Sequence, residues 1–258
     1  MSKWSLYKKY IEIRHLLFYD RPASVIKRVD FVEEAFKKFS KLKVKKILDL
    51  GTGSGEIATE LGRRGYDVVA IDLSGDAVTY GSRKAAAMGV ERVKFEQRDM
   101  RKIEYTSEFD AVTGFNSSLS LLSTTKDLLN VIKQTYKALR GGGILLADFI
   151  NPYEWLLLEK SKNTIKMTSE AELFAISSTM FDNLVKPKIN VKAVVFVRDK
   201  NRKLDMITHT ETLQGYTSTE LELLVRSVGF NRVRVCGDFD YRTQEPKRAF
   251  ILNLIAVK

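Results

Sequence analysis

The sequence predicts an α/β protein with a doubly wound, mostly parallel seven-stranded sheet and an antiparallel terminal strand. It also predicts an inserted antiparallel β-sheet and an N-terminal helical segment. Three observations support this fold class. The first half alternates short apolar runs with helix-length segments. From residue 165 to about residue 214, runs rich in Val, Ile, Thr and Phe replace that alternation. A helix and two strands then close the chain.

Five runs in the first half have the length of β-strands. They are KKILDLG, DVVAIDLS, VKFEQRD, FDAVTGF and ILLADFI. Helix-length segments between them imply right-handed crossovers and a parallel sheet that is covered on both faces. The first, second and fifth runs are apolar enough for burial on both sides. VKFEQRD alternates in polarity, so we expect it nearer the edge of the sheet.

Start and stop signals flank the predicted helices, and the helix before the fifth strand is predicted over TKDLLNVIKQTYKALRGGG. The predicted N-caps are Ser74, Thr124 or Thr125, and a capping box of Thr217 and Glu220, and the predicted stops are Gly65, Gly89 and Gly229. The inserted segment contains ELFAISSTMF, INVKAVVFV and LDMITHTETL, with the polar turn RDKNRK between the last two. The closing strands RVRVCGDF and RAFILNLIAVK are joined by a polar connection that contains Pro246.

The composition narrows the class of protein. The formal net charge of +11 is compatible with a nucleic-acid surface, with heat adaptation or with simple solubility. The densest basic run, KKFSKLKVKK at 37–46, resembles a helix end that leads into a strand. No stretch is apolar enough to span a membrane, and the charged N-terminus is not a secretory signal. The single cysteine, Cys236, excludes an internal disulfide and a thiolate metal site, so we expect a cytoplasmic protein without a metal.

Three glycines follow the first predicted strand in ILDLGTGSGEIATEL, at positions 51, 53 and 55. A glycine loop between a strand and a helix N-terminus is typical of a ligand site. A dinucleotide fingerprint would need a third glycine at position 56, where the chain has Glu56. A P-loop would need a lysine after Gly55, and none is there. Spacing therefore disfavours both alternatives.

The run from Asp49 to Gly55 resembles motif I of the class I S-adenosylmethionine-dependent methyltransferases. The resemblance implies that S-adenosylmethionine is the cofactor and that Asp72, at the end of the second strand, accepts hydrogen bonds from the ribose. It implies that Asp99 accepts from the adenine amino group and that Met100 lies against the base. Asp49 would either contact the methionine end or only shape the loop. The implied cofactor-binding residues are Asp49, Gly51, Thr52, Gly53, Gly55, Asp72, Leu73, Asp99, Met100 and Phe115.

The resemblance covers about 47–151 and 216–258, which we expect to form the cofactor-binding domain. In the family the last strand inserts antiparallel between its neighbours. Residues 152–215 resemble the inserted sheet of small-molecule methyltransferases and are expected on the substrate side. Residues 1–46 are expected to form an N-terminal helical cap over the cofactor. Its candidate contacts are Tyr7, Tyr10, Arg14 and Tyr19, while His15 is expected to be a surface or packing residue.

Methyl transfer mainly requires alignment, because the cofactor is already activated. The substrate-side candidates are Asn116, Ser117 and Tyr153. The N/D-P-P-Y/F motif of base and glutamine methyltransferases is replaced here by Asn-Ser-Ser, and the NPY at 151–153 is interpreted as a helix start or loop. The catalytic residue is left open. His209, in the inserted sheet, is the candidate general base if it faces inward.

The resulting hypothesis is an enzyme that transfers a methyl group to nitrogen or oxygen of a small molecule. The basic charge keeps a tRNA or rRNA methyltransferase open as an alternative. A non-catalytic cofactor-binding partner subunit is the third reading. The presence of Gly51, Asp72 and Asp99 in their expected places disfavours this reading.

Overall fold

The computed structural model describes residues 22–157, 162–167, 171–183, 187–199, 204–243 and 248–258. The strands are β1 (Lys46–Leu50), β2 (Asp67–Asp72), β3 (Val93–Gln97), β4 (Phe109–Gly114), β5 (Leu139–Ile150), β6 (Lys162–Met167), β7 (Ala171–Asn183), β8 (Lys188–Asp199), β9 (Leu204–Gln214), β10 (Arg232–Gly237) and β11 (Ile251–Val257). The α-helices are α1 (Pro22–Phe39), α2 (Glu56–Arg63), α3 (Gly75–Ala87), α4 (Thr125–Ala138), α5 (Pro152–Leu157) and α6 (Ser218–Val228). Short 3-10 helices span Met100–Lys102 and Ser118–Leu121.

Seven strands form one sheet in the order β10-β11-β5-β4-β1-β2-β3. β1, β2, β3, β4 and β5 pair in parallel, whereas β11 lies antiparallel to both β10 and β5. The predicted fold class is confirmed, including the antiparallel strand inserted near the end of the chain. β3 lies at the sheet edge, as its alternating polarity indicated. All five parallel strands therefore present their carboxyl ends at one edge of the sheet, where ligands bind in doubly wound folds.

Helices cover both faces of this sheet, because side chains alternate along each strand. On one face, Ile47 of β1 and Ile144 of β5 pack with α1 and α2. On the other face, Leu48 of β1 and Leu145 of β5 pack with α4 and α6. The two clusters explain why β1 and β5 are apolar on both sides.

The helix ends match the predicted signals. The Ser74 hydroxyl accepts from the backbone N–H of Ala77, and Thr124 caps α4. Thr217 and Glu220 form the predicted capping box, and Gly229 ends α6 in the left-handed region. The basic run at 37–46 is a helix end followed by a strand, as predicted, since α1 ends at Phe39 and β1 begins at Lys46.

One predicted boundary is wrong. The segment LRGGG at 139–143, predicted as the end of the helix, instead forms the beginning of β5, because α4 ends at Ala138. Leu139 pairs with Phe109 of β4, and the register shifts before Ala111 pairs with Ile144. Glycine destabilises a helix interior and is common at β-bulges, so the three glycines favour this irregular strand start over a further helical turn.

The inserted segment forms a second, antiparallel sheet in the order β6-β7-β8-β9. β6 was not among the predicted strands. Alternate residues of β8 and β9 are buried on one face, which we call the inner face. β9 lies against the 3-10 helix at Ser118–Leu121, so the inner face meets the carboxyl edge of the large sheet. Within the described ranges, no helix is long and apolar enough to cross a membrane.

Candidate functional site

The loop between β1 and α2 depends on glycine at three positions. Gly51, Gly53 and Gly55 have φ angles of 65°, 58° and 79°, in the left-handed region that other residues rarely adopt. A Cβ at Gly51 would lie 2.7 Å from the Cβ of Ser118. A Cβ at Gly55 would lie 2.5 Å from the Phe95 ring. At Gly53 the corresponding space is open for 4 Å within the described structure, which leaves this backbone accessible to a ligand.

A pocket opens beside this loop at the carboxyl ends of β1, β2, β3 and β4. The predicted cofactor residues that line it are Gly51, Thr52, Gly53, Asp72, Leu73, Asp99, Met100 and Phe115. Of the substrate-side candidates, Asn116 also lines it. Gly55 and Ser117 belong to the loops around the pocket and Asp49 to the end of β1, but all three lie behind the lining rather than in it.

Asp72 connects β2 to the glycine loop. Its Oδ2 accepts a hydrogen bond of 2.8 Å from the backbone N–H of Gly53, and its Oδ1 accepts one of 2.9 Å from Ser74. An ionised carboxylate has about four acceptor positions. Asp72 can therefore hold the loop and still accept hydrogen bonds from a vicinal diol in the pocket.

Asp99 follows β3 and begins the 3-10 helix at Met100–Lys102. The Arg101 guanidinium pairs with its carboxylate at 2.6 Å, and hydrogen bonds from that guanidinium hold the pKa of Asp99 below its usual range. Asp99 is thus an ionised acceptor at the pocket wall. Met100 beside it offers a soft apolar surface for a planar ring.

Asp49 is buried at the end of β1, with 3% of its surface exposed. The Thr113 hydroxyl on β4 donates a hydrogen bond of 2.6 Å to it. Burial raises the pKa of Asp49 to about 6, against the smaller lowering effect of the Thr113 hydrogen bond. This contact ties the ends of β1 and β4 together, which favours the loop-shaping role over direct ligand contact.

Another wall of the pocket is formed by the residues that follow β4. Phe115 and Asn116 line the pocket, and Asn116 and Ser117 both have left-handed φ angles, of 57° and 55°. Asn116 Oδ1 is shielded from solvent and accepts no hydrogen bond from the described part of the chain. A ligand N–H or O–H group in the pocket could satisfy this acceptor.

Two supporting residues were not predicted from the sequence. Ser118 donates a hydrogen bond of 3.0 Å from its hydroxyl to the Leu50 carbonyl, which closes the pocket floor. Asp148 on β5 accepts hydrogen bonds from the backbone N–H groups of Asn116 and Ser117. The sequence signal for Asp148 was its place inside the apolar strand ILLADFI, because an acidic residue is rarely buried unless it has a partner.

His209 lies on the inner face of β9 and is 3% exposed. Its Nε2 is 3.3 Å from Oε2 of Glu211, two residues further along the same face. Leu213 continues this face and packs in one cluster with Leu121, which lines the pocket. The structure thus places the predicted histidine on the side of the inserted sheet that leads to the pocket.

The other predicted positions lie further out. Tyr153, on α5, is 66% exposed. The NPY segment is a helix start, as interpreted, because the Asn151 side chain accepts a hydrogen bond of 3.2 Å from the N–H of Tyr153. Tyr7, Tyr10, Arg14, His15, Tyr19 and Pro246 lie outside the described residues. The described residues contain no group of three or more His, Cys, Asp or Glu side chains that could hold a metal ion.

Part of the chain, which includes the pocket, matches a known protein family in sequence. Residues 47–143 match the family model Methyltransf_25, described as a methyltransferase domain. These residues form a methyltransferase domain. The match begins at β1, includes the glycine loop and all of β2, β3 and β4, and ends in β5. It therefore contains every pocket-lining residue named above.

Similarity extends beyond the domain. Protein GWCH70_2453 of Geobacillus sp. (strain WCH70), which carries the name of a methyltransferase, is 26% identical over 209 residues, 81% of this chain and 83% of its own. The crystal structure of an S-adenosylmethionine-dependent methyltransferase from Clostridium acetobutylicum superposes with a TM-score of 0.82 at 18% identity, covering 97% of this chain and 98% of the other. The sugar N-methyltransferase KedS8 from Streptoalloteichus sp. has a TM-score of 0.77 at 16% identity, covering 94% and 91%.

The superpositions confirm the predicted fold, and the family match identifies residues 47–143 as a methyltransferase domain. The structural likeness covers nearly the whole chain, so it includes the inserted sheet as well as the large one.

The buried acid Asp49 generates a pH-dependent prediction for this domain. A folded-state pKa raised from 3.8 to about 6 means that the folded state holds the proton more tightly, so stability falls as pH rises through that range. We expect Asp49→Asn to reduce the loss of unfolding free energy between about pH 4.5 and about pH 7 by on the order of 2 kcal/mol.

Urea unfolding of both proteins at the two pH values measures this difference. Burial also raises the pKa of Asp148 to about 6, so part of the loss should remain in the variant. An equal loss in wild type and Asp49→Asn would contradict the assignment of the effect to Asp49.

Proposed function

We propose that this methyltransferase holds S-adenosylmethionine in the pocket beside the glycine loop and transfers its methyl group to nitrogen or oxygen of a small molecule. One observation carries the proposal: the carboxylate acceptors Asp72 and Asp99 lie at the ends of adjacent strands and line the same pocket as the open backbone at Gly53. A ribose diol and an adenine amino group are donors that match two such acceptors.

Hydrogen-bonding groups beside the pocket also fit the methionine part of the cofactor. Backbone N–H groups of the loop and of the α2 N-terminus suit the methionine carboxylate. Asn116 Oδ1, which is shielded from solvent, suits a donor at the methyl end. When bound, S-adenosylmethionine supplies an activated methyl group on a sulfonium.

The chain's contribution to the reaction is then alignment and proton removal. Phe115 and Asn116 form the wall beside the methyl end and exclude water from it. The acceptor enters between this wall and the inner face of β8 and β9, with Ser117 and Tyr153 as further substrate-side candidates. Effective alignment of this kind supplies a large part of the barrier reduction in a displacement reaction.

His209 is the proposed general base, with Glu211 as its orienting carboxylate. A carboxylate beside Nε2 favours the tautomer with its proton on that nitrogen and the lone pair on Nδ1. Val191 and Ala193 of β8 pair with these two residues, so the dyad lies in an otherwise apolar surface. Such a surface suits a small molecule with a polar reactive group.

The small-molecule class is favoured over RNA by the position of the basic run. Lys46 begins β1, whereas the pocket lies at the other end of that strand. The run at 37–46 therefore lies at the edge of the sheet remote from the reacting end. KedS8, which superposes over the inserted sheet, is described as a sugar N-methyltransferase.

The domain arrangement belongs to the same proposal. Residues 47–151 and 216–258 would bind the cofactor, 152–215 would form the substrate side, and 1–46 would cap the site. Cys236 is buried and not in a disulfide, which supports the inferred cytoplasmic location.

Asp72→Ala tests the cofactor site. We expect wild type to bind S-adenosylhomocysteine in the micromolar range by calorimetry. The variant should bind about 10- to 100-fold more weakly, because hydrogen bonds to a charged group contribute about 1.5 to 3 kcal/mol.

Asp67→Ala is the matched control, since Asp67 is an exposed acid at the opposite end of the same strand, paired with Arg92 at 2.7 Å. It should bind like wild type. Absence of binding heat for wild type at millimolar ligand would contradict the proposed cofactor.

His209→Gln and Glu211→Gln test the dyad. Transfer of labelled methyl from S-adenosylmethionine into a metabolite extract should fall about 100-fold or more in His209→Gln, as expected for loss of a general base. Glu211→Gln should show a smaller loss. Thr210→Ala, between them on the exposed face of β9, should retain wild-type transfer. Unchanged transfer in His209→Gln would remove the base from the proposal.

An RNA gel shift separates the alternative. We expect no shift of bulk tRNA at about 0.15 M salt, because the basic run does not surround the pocket. A tight, salt-sensitive shift that S-adenosylhomocysteine strengthens would favour the RNA methyltransferase instead.

A further inference from the structure

The turn after β4 contains two consecutive residues in the left-handed region, Asn116 and Ser117. Asparagine adopts this conformation more readily than most residues, because its side chain can hydrogen-bond locally. Serine gains less from such bonds, so the strain lies mainly at Ser117. A strained backbone at a pocket wall persists only where the surrounding structure holds it.

Asp148 supplies that restraint. One carboxylate oxygen accepts a hydrogen bond of 3.1 Å from the N–H of Asn116, and the other accepts from the N–H of Ser117. Asp148 is 1% exposed and lies on β5, which pairs directly with β4. Arg28 of α1 is close enough to stabilise the carboxylate electrostatically, which offsets part of the burial.

A second turn with a positive φ is held by Asn253, which is the neighbour of Asp148 in the sheet. Asn253 of β11 pairs in register with Asp148 and is fully buried. Its Oδ1 accepts a hydrogen bond of 2.7 Å from the N–H of Phe239, whose φ is 63°. The Phe239 ring packs with its centroid 6.3 Å from that of Phe115. Both held turns therefore meet at the pocket wall.

We propose that Asp148 is a positioning residue of the methyl-end wall, which fixes the Asn116–Ser117 turn so that Asn116 and Phe115 face the pocket. The proposal rests on the proposed cofactor site. Asp148 itself lies behind the lining, so it acts through the backbone of Asn116 and Ser117 rather than on the ligand.

The test is a double-variant cycle read by S-adenosylhomocysteine binding in calorimetry. Asp148→Asn should weaken binding about tenfold, because the amide replaces one of two acceptors by a donor. Glycine adopts φ near 55° without strain, so Asp148→Asn/Ser117→Gly should bind within about threefold of Ser117→Gly. Amide hydrogen exchange at Asn116 and Ser117 should accelerate in Asp148→Asn.

Asp110 provides the matched control. It is also a buried acid that accepts two backbone N–H groups, from Lys45 and Lys46 at 2.9 Å each, but at the opposite edge of the sheet. Asp110→Asn should lower thermal stability and leave S-adenosylhomocysteine binding unchanged. If Asp148 acted only through overall stability, an equal loss of thermal stability in Asp110→Asn would weaken S-adenosylhomocysteine binding equally.

The outcomes are distinct. No binding by wild type contradicts the proposed function itself. Wild-type affinity in Asp148→Asn, or a loss that Ser117→Gly does not rescue, overturns the positioning role alone. If Asp148→Asn does not fold, the comparison of Asp148→Asn/Ser117→Gly with Ser117→Gly decides. If the double variant also fails to fold while Asp110→Asn folds, the carboxylate serves the fold and the proposal is overturned.

Discussion

Carboxylates that accept backbone N–H groups at the carboxyl edge of the large sheet are the interaction on which the pocket depends. Asp72 holds Gly53, and Asp148 holds Asn116 and Ser117. In both cases the restrained backbone has a positive φ, which an unrestrained loop would populate as one conformer among several. A carboxylate acceptor with two oxygens stabilises one of those conformers and orients the adjacent side chains toward the pocket.

The parallel sheet makes this arrangement possible. Because β1, β2, β3, β4 and β5 run in the same direction, the acids that follow or end them reach one edge. The reversed strand β11 contributes Asn253 at the same level as Asp148. The inserted sheet then brings the inner face of β9 against the 3-10 helix at Ser118–Leu121. The pocket and the proposed acceptor side therefore meet at one edge of the large sheet.

The sequence indicated the parts of this site that depend on local pattern. Spacing of Gly51, Gly53 and Gly55 distinguished the loop from dinucleotide and P-loop motifs, and Asp72 and Asp99 stood at predicted strand ends. It did not indicate β6, the start of β5 at Leu139 or the role of Asp148, since each depends on pairing between distant segments. Strand alternation could not decide the orientation of His209, whose inward position follows from the packing of the inserted sheet.

A crystal structure of the chain with S-adenosylhomocysteine is the most direct measurement of the central claim. We expect the ribose hydroxyls within about 3 Å of the Asp72 carboxylate, the normal hydrogen-bond distance. The base should lie against Met100 with its amino group directed at Asp99, and the sulfur should face Asn116. A ligand bound elsewhere, or one with its ribose away from Asp72, would contradict the account.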